Sequence, residues 1–341
     1  MLIMVGDIGG TNTRLRLVDV NGTEQVLIAE KDYSSQKFSS FFDVLNRFNS
    51  EYEILSSIDA VCMAVAGPIK SAEVCVTNLP WIISEVELSQ FFEISNVCLI
   101  NDFIAISYGI RELQKSDFLT IQQPNKQAEK SFCSDAVVIG AGTGLGAAHL
   151  IWRENHYEAS ASEAGHAGFS PETQQQTELL RWLQTSQSHV SLEDILSGKG
   201  LHKIYQFLRD TTDITESSEV RNAMEDEDPA KIISQYALLE SDSLSQNALN
   251  LFIEIYGASA GNITLHYYPV DTVYIAGGIA EKIKTQLNSE RFTHAFSNKG
   301  LMSENMKQLA IQLVLNDRVG LYGAVSYAYR KFYNGISSFG S

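Results

Sequence analysis

Cysteine and hydrophobic runs of membrane-spanning length are both scarce in this sequence, and each scarcity excludes a class of protein. The 341 residues include 4 cysteines and no CxxC pair, which is too few for a disulfide framework. We therefore expect reduced core thiols at all four positions, Cys62, Cys75, Cys98 and Cys133. The first residues form only a short apolar stretch without a basic residue, which predicts neither a signal peptide nor a membrane anchor. Together these features predict a cytoplasmic protein.

Positive charge is also in short supply, since 25 Lys and Arg residues stand against 41 Asp and Glu residues, a net charge of −16. Nucleic acids and anionic membranes repel such a chain, so we expect neither as a partner. The longest apolar segment, residues 248–268, contains Glu254, Asn262 and His266 and predicts a buried helix rather than a membrane span. A phosphate-bearing ligand must then be held locally, by backbone amides, a metal ion or a few placed cations.

Apolar strand patterns alternate with helical spacing along the chain, which predicts an α/β protein. At roughly 100–200 residues per domain, the length predicts two domains. The strands are predicted at residues 2–5, 14–20, 60–66, 96–100, 136–139, 147–152 and 271–275, and the clearest helices at 38–48, 248–268 and 321–333. The polar stretch 116–134 is predicted to join the halves or to decorate the second one, and residues 209–228 to form a solvated loop or a weak helix.

Three glycine-containing breaks each follow an apolar strand, at Gly6–Thr11, Gly140–Gly146 and Ala276–Ile279. Glycine allows sharp turns and lets backbone N–H groups approach an anion closely. Any one break could be a simple tight turn, but three at strand ends favour phosphate binding. The P-loop pattern GxxxxGK[ST] is absent. The GxGxxA match that begins at Gly142 would need a following helix to bind a dinucleotide, and a strand is predicted there.

The first two breaks indicate an internal duplication. Aligned from their preceding strands, they share two glycines, Gly6 with Gly140 and Gly10 with Gly144. The same alignment places Asp7 opposite Ala141, so the two loops would share a shape and divide the chemistry.

Several polar residues have both a functional and a structural interpretation. Asp102 follows a strand and could be a general base or a helix N-cap. Asp7 could be a turn residue or a Mg²⁺ ligand. Arg14 could assist phosphate binding, or it could share a solvated strand face with Arg16. Glu193 could be a functional carboxylate or an exposed helix residue.

The segment DIGGTNTR, residues 7–14, resembles the first phosphate motif of sugar kinases in the actin/hexokinase/heat-shock-chaperone superfamily. Within that superfamily the chain resembles the bacterial-type glucokinases of the hexokinase group. The supporting segments run along nearly the whole chain: AVAGP at 64–68, TNLPW at 77–81, INDF at 100–103, GAGTGLG at 140–146, SEAGH at 162–166, VSLEDILSG at 190–198 and IAGGI at 275–279. In this order they are highly specific.

The resemblance implies the actin-like ATPase fold, with two ribonuclease-H-like α/β domains closing over a central cleft. Residues 1–112 with 319–341 would form the small domain, with its final helix packed on it, and residues 113–318 the large one. The implied reaction is phosphorylation of glucose by ATP with Mg²⁺. A homodimer is also implied.

The resemblance further implies roles for individual residues. Asp102 would be the general base, and Asp7 would hold Mg²⁺ through water. The sugar-binding residues would be Asn78, Asn101, Asp102, Glu163, His166 and Glu193. The nucleotide-binding residues would be Gly6, Asp7, Ile8, Gly9, Gly10, Thr11, Asn12, Gly140, Gly142, Thr143, Gly144, Gly277 and Gly278. The chain departs from the usual sugar loop at Ala164, where relatives carry glycine.

Three alternatives stay open at this point. A kinase for another hexose or an amino sugar, or one with another phosphoryl donor, would have nearly the same sequence pattern. A sugar-responsive regulator of the same fold would carry an N-terminal DNA-binding helix pair, whereas a strand is predicted here from Leu2. The chaperone and ATPase branch would lack the Asn101-Asp102 pair and the Glu163/His166 pair.

Overall fold

A computed structural model describes residues 1–22, 24–53, 58–124, 134–153 and 156–333. The chain divides into two compact units. The first unit consists of Met1–Gln114 and Asn316–Ser341, and the second unit of Lys115–Leu315. Which unit carries which function stays a prediction.

The first unit contains a five-stranded sheet in the order β3-β2-β1-β4-β8 and a small sheet of β5, β6 and β7. The strands are β1 Leu2–Ile8, β2 Asn12–Asn21, β3 Glu24–Ser34, β4 Ala60–Val65, β5 Ile69–Lys70, β6 Glu73–Cys75, β7 Ile82–Ser84 and β8 Val97–Asn101. The helices are α1 Phe41–Tyr52, α2 Glu85–Phe92 and α3 Asp102–Gly109. β1, β4 and β8 are parallel, whereas β2 runs antiparallel to β1 and β3.

The second unit repeats this strand order and adds one strand, giving β12-β11-β10-β13-β14-β9. The strands are β9 Phe118–Gln122, β10 Ala136–Ala141, β11 Leu145–Arg153, β12 His156–Ser162, β13 Thr272–Ala276 and β14 Ala310–Val314. The helices are α4 Gln174–Leu183, α5 Gly198–Thr211, α6 Ser218–Asp226, α7 Pro229–Leu238, α8 Ser243–His266, α9 Gly278–Lys282, α10 Lys284–Leu287, α11 Glu290–Ser297 and α12 Ser303–Met306. Apart from β9, both sheets follow the order third, second, first, fourth, fifth, which agrees with a duplication.

The last helix, α13 Val319–Phe332, returns to pack on the first unit, as the resemblance implies. Its apolar face meets buried residues of β1 and β4 such as Val5 and Ala64. It also crosses α3 at very close range, because a Cβ at Gly323 would collide with the Ala105 carbonyl oxygen, and one at Gly109 with that of Val319. Glycine on both helices allows this approach, which ties α13 firmly to α3.

Both strands that lead into the first two glycine breaks continue further than predicted. β1 extends through Gly6 and Asp7, and β10 extends through Gly140 and Ala141. A Cβ at Gly6 would lie 2.6 Å from the Met63 sulfur, so that glycine allows close packing within the sheet rather than a turn. The turns themselves are shorter than the sequence pattern indicates.

The structure decides between alternatives for two other segments and corrects a third expectation. The stretch 116–134, predicted to join the halves or to decorate the second one, contains β9, which adds a strand to the second sheet by pairing with β14. Its residues 125–133, with Cys133, lie outside the described residues. Within residues 209–228, predicted as a loop or a weak helix, residues 218–226 form a regular helix, α6. Cys62 and Cys98 are buried free thiols, but Cys75 is exposed, so the core-thiol expectation is wrong there. In the described part of the chain, no helix combines the length and the apolar composition that a bilayer crossing needs.

Candidate active site

Three sequence motifs meet at one edge of the first sheet: the first glycine loop, the AVAGP segment at 64–68 and the INDF segment at 100–103. The register of the parallel strands places Ile8 beside Val65 and Val65 beside Asn101. The segments that follow these residues therefore leave the sheet at the same edge. At the carboxyl ends of parallel strands, α/β folds commonly bind ligands. The first glycine loop and the Asn101-Asp102 pair are thus brought to one edge by strand register.

The N-cap of α3 is Asn101, not Asp102. Its side-chain oxygen accepts hydrogen bonds from the N–H groups of Phe103 at 2.9 Å and Ile104 at 3.4 Å. Asp102 is the first helical residue, and its Oδ1 accepts from the Phe103 N–H at 3.0 Å. The N-cap interpretation of Asp102 is therefore wrong. The Asp102 carboxylate therefore lies at the N-terminus of α3, which Asn101 already caps.

Asn78 lies against the first glycine loop. Its backbone is left-handed, with φ 63°, a conformation that Asn tolerates better than most residues. The preceding Thr77 is anchored on the end of β4, because its N–H and hydroxyl both donate to the Ala66 carbonyl at 3.1 and 3.0 Å. A Cβ at Gly10 would lie 2.7 Å from the Thr77 carbonyl oxygen, so only glycine allows this contact.

The first glycine loop is supported by Ser35, a residue that sequence reasoning missed. The Ser35 hydroxyl donates to the Gly9 carbonyl at 2.8 Å, and its N–H donates to the Thr11 carbonyl at 2.9 Å. Within the loop, the Gly9 N–H donates to the Asn12 carbonyl at 2.9 Å. Ser35 is fully buried and follows β3, and no local pattern marks it. It holds the loop backbone in one conformation.

Asp7 stands on β1 opposite Arg14 on β2, with 3.6 Å between Oδ2 and Nη1. Arg14 also donates to Asp317, to the carbonyl at 2.7 Å and to Oδ2 at 2.9 Å. The start of α13 closes this cluster, since a Cβ at Gly320 would lie 3.6 Å from the Asp7 carboxylate. Burial raises the pKa of Asp7 above its ordinary value, and the Arg14 and Arg318 guanidinium groups oppose part of that rise.

Arg14 and Arg16 are not a solvated strand face, so that interpretation is wrong. Arg16 is only 6% exposed, with Nε 2.5 Å from the Glu30 carboxylate and its guanidinium 4.4 Å from the centre of the Tyr322 ring. Tyr322 belongs to α13, which covers this face of β2. The alternating pattern predicts a strand. It gives no indication of α13, which lies about 300 residues further along the chain and covers this face.

In the second unit, the hairpin of β10 and β11 closes at the pair Ala141 and Leu145, leaving the turn Gly142–Gly144. A strand, not a helix, follows the glycines, so the dinucleotide fingerprint is excluded as expected. The Ala141 N–H donates to the buried Tyr256 hydroxyl at 3.1 Å. Tyr256 lies on α8, and its role was not evident from the sequence.

The third glycine segment lies directly behind this hairpin. Gly277 has φ 90°, and a Cβ there would lie 2.6 Å from the Ala141 carbonyl oxygen. The Gly198 N–H, at the start of α5, donates to the Gly142 carbonyl at 3.1 Å. Within the second unit, the fold therefore brings together two of the three predicted glycine segments, Gly140–Gly146 and Ala276–Ile279.

The predicted sugar loop forms a short 3-10 turn at Ala164–His166. The His166 Nε2 lies 3.7 Å from the Glu163 carboxylate, and the two side chains are 65% and 69% exposed. A Cβ at Gly165 would collide with the Leu145 carbonyl oxygen, so the loop packs tightly on the second hairpin. Ala164 is partly buried against the core of the second unit, and its methyl group is accommodated.

Glu193 connects the sugar loop to the second hairpin. Its N–H donates to the Gly165 carbonyl at 2.9 Å, and its carboxylate accepts from the Leu145 N–H at 3.0 Å. A Cβ at Gly144 would collide with that carboxylate. Glu193 lies in a turn before α5 and is partly buried, so the interpretation as an exposed helix residue is wrong.

Among the described residues, no group of three or more His, Cys, Asp or Glu side chains could hold a metal ion. Mg²⁺ does not need such a group, because it commonly uses one or two carboxylates, several waters and substrate phosphates. A single partly buried carboxylate beside a glycine loop, as at Asp7, fits that mode of binding.

The repeated strand order and the glycine hairpins fit a sugar kinase of the actin-like ATPase fold. The family model described as Glucokinase matches residues 4–331. A glucokinase of Nostoc sp. (strain PCC 7120 / SAG 25.82 / UTEX 2576) is 40% identical over 343 residues, which cover 96% of this chain and 99% of that protein. The chain therefore belongs to the glucokinase family. Family membership implies ATP as the phosphoryl donor, and it confirms the predicted glucokinase activity.

Solved structures agree with this assignment. The crystal structure of a glucokinase from an Antarctic psychrotroph is 31% identical, with a TM-score of 0.77, and the match covers 96% of this chain and 99% of that one. A ROK family glucokinase from Streptomyces griseus, solved in complex with glucose and AMPPNP, is 18% identical and shares the fold, with a TM-score of 0.65 over 97% of this chain and 100% of that one. The predicted actin-like ATPase fold is confirmed.

Proposed function

We propose that the protein transfers the γ-phosphoryl group of ATP to the 6-hydroxyl of D-glucose, with Asp102 as the general base. The observation that carries this proposal is the position of Asp102, which starts α3 at the sheet edge shared with the first glycine loop. The Streptomyces griseus relative was solved with glucose and an ATP analogue, which supports the same pair of ligands here.

In the proposed reaction, Asp102 accepts the proton of the 6-hydroxyl as that oxygen bonds to the γ-phosphorus. The bond between the γ-phosphorus and the bridging oxygen breaks, and ADP leaves. Phosphoryl transfer depends mostly on positioning and on charge stabilisation, and a positioned base adds roughly 10²–10⁴-fold. The Asn101 cap supports this role because it fixes the first turn of α3, and with it the Asp102 backbone.

The side chains proposed to bind the sugar are those of Asn78, Asn101, Asp102, Glu163, His166 and Glu193. Carboxylates and amides suit a polyol, because they satisfy several hydroxyls in fixed directions and discriminate against analogues that lack one. The exposure of Glu163 and His166 supports a ligand-facing role for that pair.

The nucleotide is bound by backbone of the glycine segments: Gly6, Asp7, Ile8, Gly9, Gly10, Thr11, Asn12, Gly140, Gly142, Thr143, Gly144, Gly277 and Gly278. Gly9–Asn12 would contact the phosphates and Gly277-Gly278 would lie near the nucleoside. Gly6 and Gly140 contribute through packing of their strands, since both are strand residues.

Asp7 would hold Mg²⁺ through water. When bound, the ion would neutralise charge on the β- and γ-phosphates. The role of this chain is to keep the Asp7 carboxylate beside the glycine loop, and Arg14 and the start of α13 do so.

We also propose a cytoplasmic location, on the basis of the few cysteines and the N-terminal sequence, and a homodimer, on the basis of the family resemblance. Analytical ultracentrifugation at micromolar concentration should give a mass near twice 37.8 kDa. A monomer at every concentration would contradict it.

Steady-state phosphorylation across a panel of hexoses and amino sugars with MgATP tests the proposal, alongside the Asp102→Asn variant. We expect glucose to have the highest kcat/KM, and the variant to lose turnover while glucose binding, measured by calorimetry, persists. Preference for another sugar would keep the mechanism and change the substrate. Glucose binding without phosphorylation of any sugar would contradict the kinase and support a sugar sensor.

A further inference from the structure

The residue after Glu193 is held in an unusually complete set of hydrogen bonds. The Asp194 Oδ2 accepts from the Ser191 N–H at 3.1 Å and from the Ser191 hydroxyl at 2.8 Å. The Asp194 N–H donates back to the Ser191 hydroxyl at 3.2 Å. These bonds close a small ring over residues 191–194, and Glu193 lies inside that ring.

The second oxygen of Asp194 is anchored outside the ring. Lys203, on α5, donates to Oδ1 at 2.7 Å, and both side chains are about two-thirds buried, being 31% and 28% exposed. Partial burial would raise the pKa of Asp194, but hydrogen bonds from Lys203 and Ser191 outweigh it and lower the pKa to about 2. The carboxylate is therefore charged at neutral pH, and it joins the turn to the body of the second unit.

Glu193 has two contacts that require accurate placement. Its N–H meets the sugar loop at the Gly165 carbonyl, and its carboxylate meets the second hairpin at the Leu145 N–H. The space is also restricted, because a Cβ at Gly144 would collide with the carboxylate. Backbone bonds also hold the turn, since the Leu192 N–H donates to the Ala167 carbonyl at 2.9 Å. Among the described residues, the Asp194 ring and the Lys203 bond supply side-chain constraints on that turn.

We propose that Asp194, anchored by Lys203, is a positioning residue that sets the Glu193 carboxylate for glucose binding. This inference rests on the proposed function, in which Glu193 contacts the sugar. Misplacement by about 1 Å can cost on the order of 10²-fold in an active site, and loss of an outer hydrogen-bond partner typically costs about 10–100-fold. Because Glu193 also holds the second hairpin, loss of its position should weaken nucleotide binding as well, though less.

Three substitutions test the proposal on the full-length protein. Asp194→Asn keeps the shape and removes the charge, Lys203→Met removes the anchor, and Lys203→Arg keeps it. Lys231→Met, which removes an exposed ion pair with Glu227 in the same unit, is the matched control. For each, we would measure the KM for glucose and for ATP, the kcat, the calorimetric Kd for glucose, and the thermal unfolding midpoint.

We expect Asp194→Asn and Lys203→Met to raise the glucose KM and Kd about 10-fold, with a much smaller change in kcat. Lys203→Arg should restore values near wild type, and Lys231→Met should leave them unchanged. A lower unfolding midpoint with unchanged glucose KM and Kd would show a purely structural role and overturn the proposal. If Asp194→Asn does not fold, the Lys203→Met and Lys203→Arg pair decides by the same criteria.

The calorimetric Kd separates this proposal from the proposed function. If wild type binds glucose without phosphorylating it, the kinase proposal fails, and a 10-fold change in Kd in the variants would still support the role of Asp194. Absence of glucose binding by wild type would overturn both.

Discussion

The hairpin that begins the first unit carries its own carboxylate, whereas the hairpin that begins the second unit receives one from elsewhere in the chain. Asp7 lies on β1, and the corresponding residue of β10 is Ala141. The carboxylate that meets the second hairpin belongs to Glu193 and reaches it through the Leu145 N–H. Two copies of one strand order have thus placed their acidic groups differently.

The supports behind the two hairpins differ in the same way. The Asp7 side chain contacts the guanidinium of Arg14 and lies beside the start of α13, and the guanidinium stabilises a charged carboxylate there. Behind Ala141 stand the Tyr256 hydroxyl and the backbone at Gly277, which suit a neutral one. The comparison indicates that duplication preserves the hairpin, while packing around it decides whether a charge can be kept there.

The largest effect is expected from Ala141→Asp, which gives the second hairpin an acidic residue at the position that corresponds to Asp7 in the first. Ala141 is fully buried in the hydrophobic core of the second unit, where its N–H donates to the Tyr256 hydroxyl and its carbonyl lies close to Gly277. We expect Ala141→Asp to lower the free energy of unfolding by about 3–5 kcal/mol, because an uncompensated charge is buried. Urea denaturation measures this loss, and Ala141→Ser is the control for size. Wild-type stability would contradict the distinction between the two hairpins.

The reverse change removes the acid from the first hairpin. We expect Asp7→Asn to lower kcat/KM for MgATP by about 10–100-fold, as for loss of an outer-sphere metal ligand, and to raise the Mg²⁺ concentration needed for half-maximal rate. The glucose Kd should stay constant. Asp32→Asn is the matched control, since Asp32 also pairs with Arg14 and Arg318. An equal loss in both variants would assign the effect to the charge cluster instead of to Asp7.

A smaller effect is expected from the support of the second hairpin. Tyr256→Phe removes the hydroxyl that accepts from the Ala141 N–H and leaves that donor buried. We expect the free energy of unfolding to fall by roughly 1 kcal/mol. The KM for ATP should be higher in the variant than in wild type, and the KM for glucose should change less. Tyr236→Phe, which removes an exposed hydroxyl bonded to Glu219, is the control. An unchanged ATP KM would mean that the hairpin does not depend on Tyr256.

Local patterns predicted the strands and helices that carry their own hydrophobic periodicity, such as β4, β8 and α8. They missed β9, whose residues 118–122 are stabilised by pairing with β14, which lies at least 189 residues further along the chain. They also placed the strand ends too early at Gly6 and Gly140, and at Gly6 the glycine serves packing within the sheet. A glycine in a sequence does not reveal whether it turns the chain or lets a neighbour approach.

The same limit applies to the site. Motif order singled out acidic and amide residues as candidates. It could not assign the N-cap, because both Asn101 and Asp102 are favourable caps, and the backbone where β8 meets α3 decides between them. The partners of Arg14 and Ala141 stayed hidden, since Asp317 and Tyr256 lie 303 and 115 positions away. Contacts of that separation are made by tertiary packing and leave no local signal.

The most direct test of the account compares Asp102→Asn with Glu193→Gln in single-turnover phosphoryl transfer, with glucose affinity measured on the same preparations. We expect Asp102→Asn to slow transfer by roughly 10²–10⁴-fold, with glucose affinity close to wild type. We expect Glu193→Gln to weaken glucose binding and to change the transfer rate much less. Transfer at the wild-type rate in Asp102→Asn would contradict the account, because the first unit would then not supply the base.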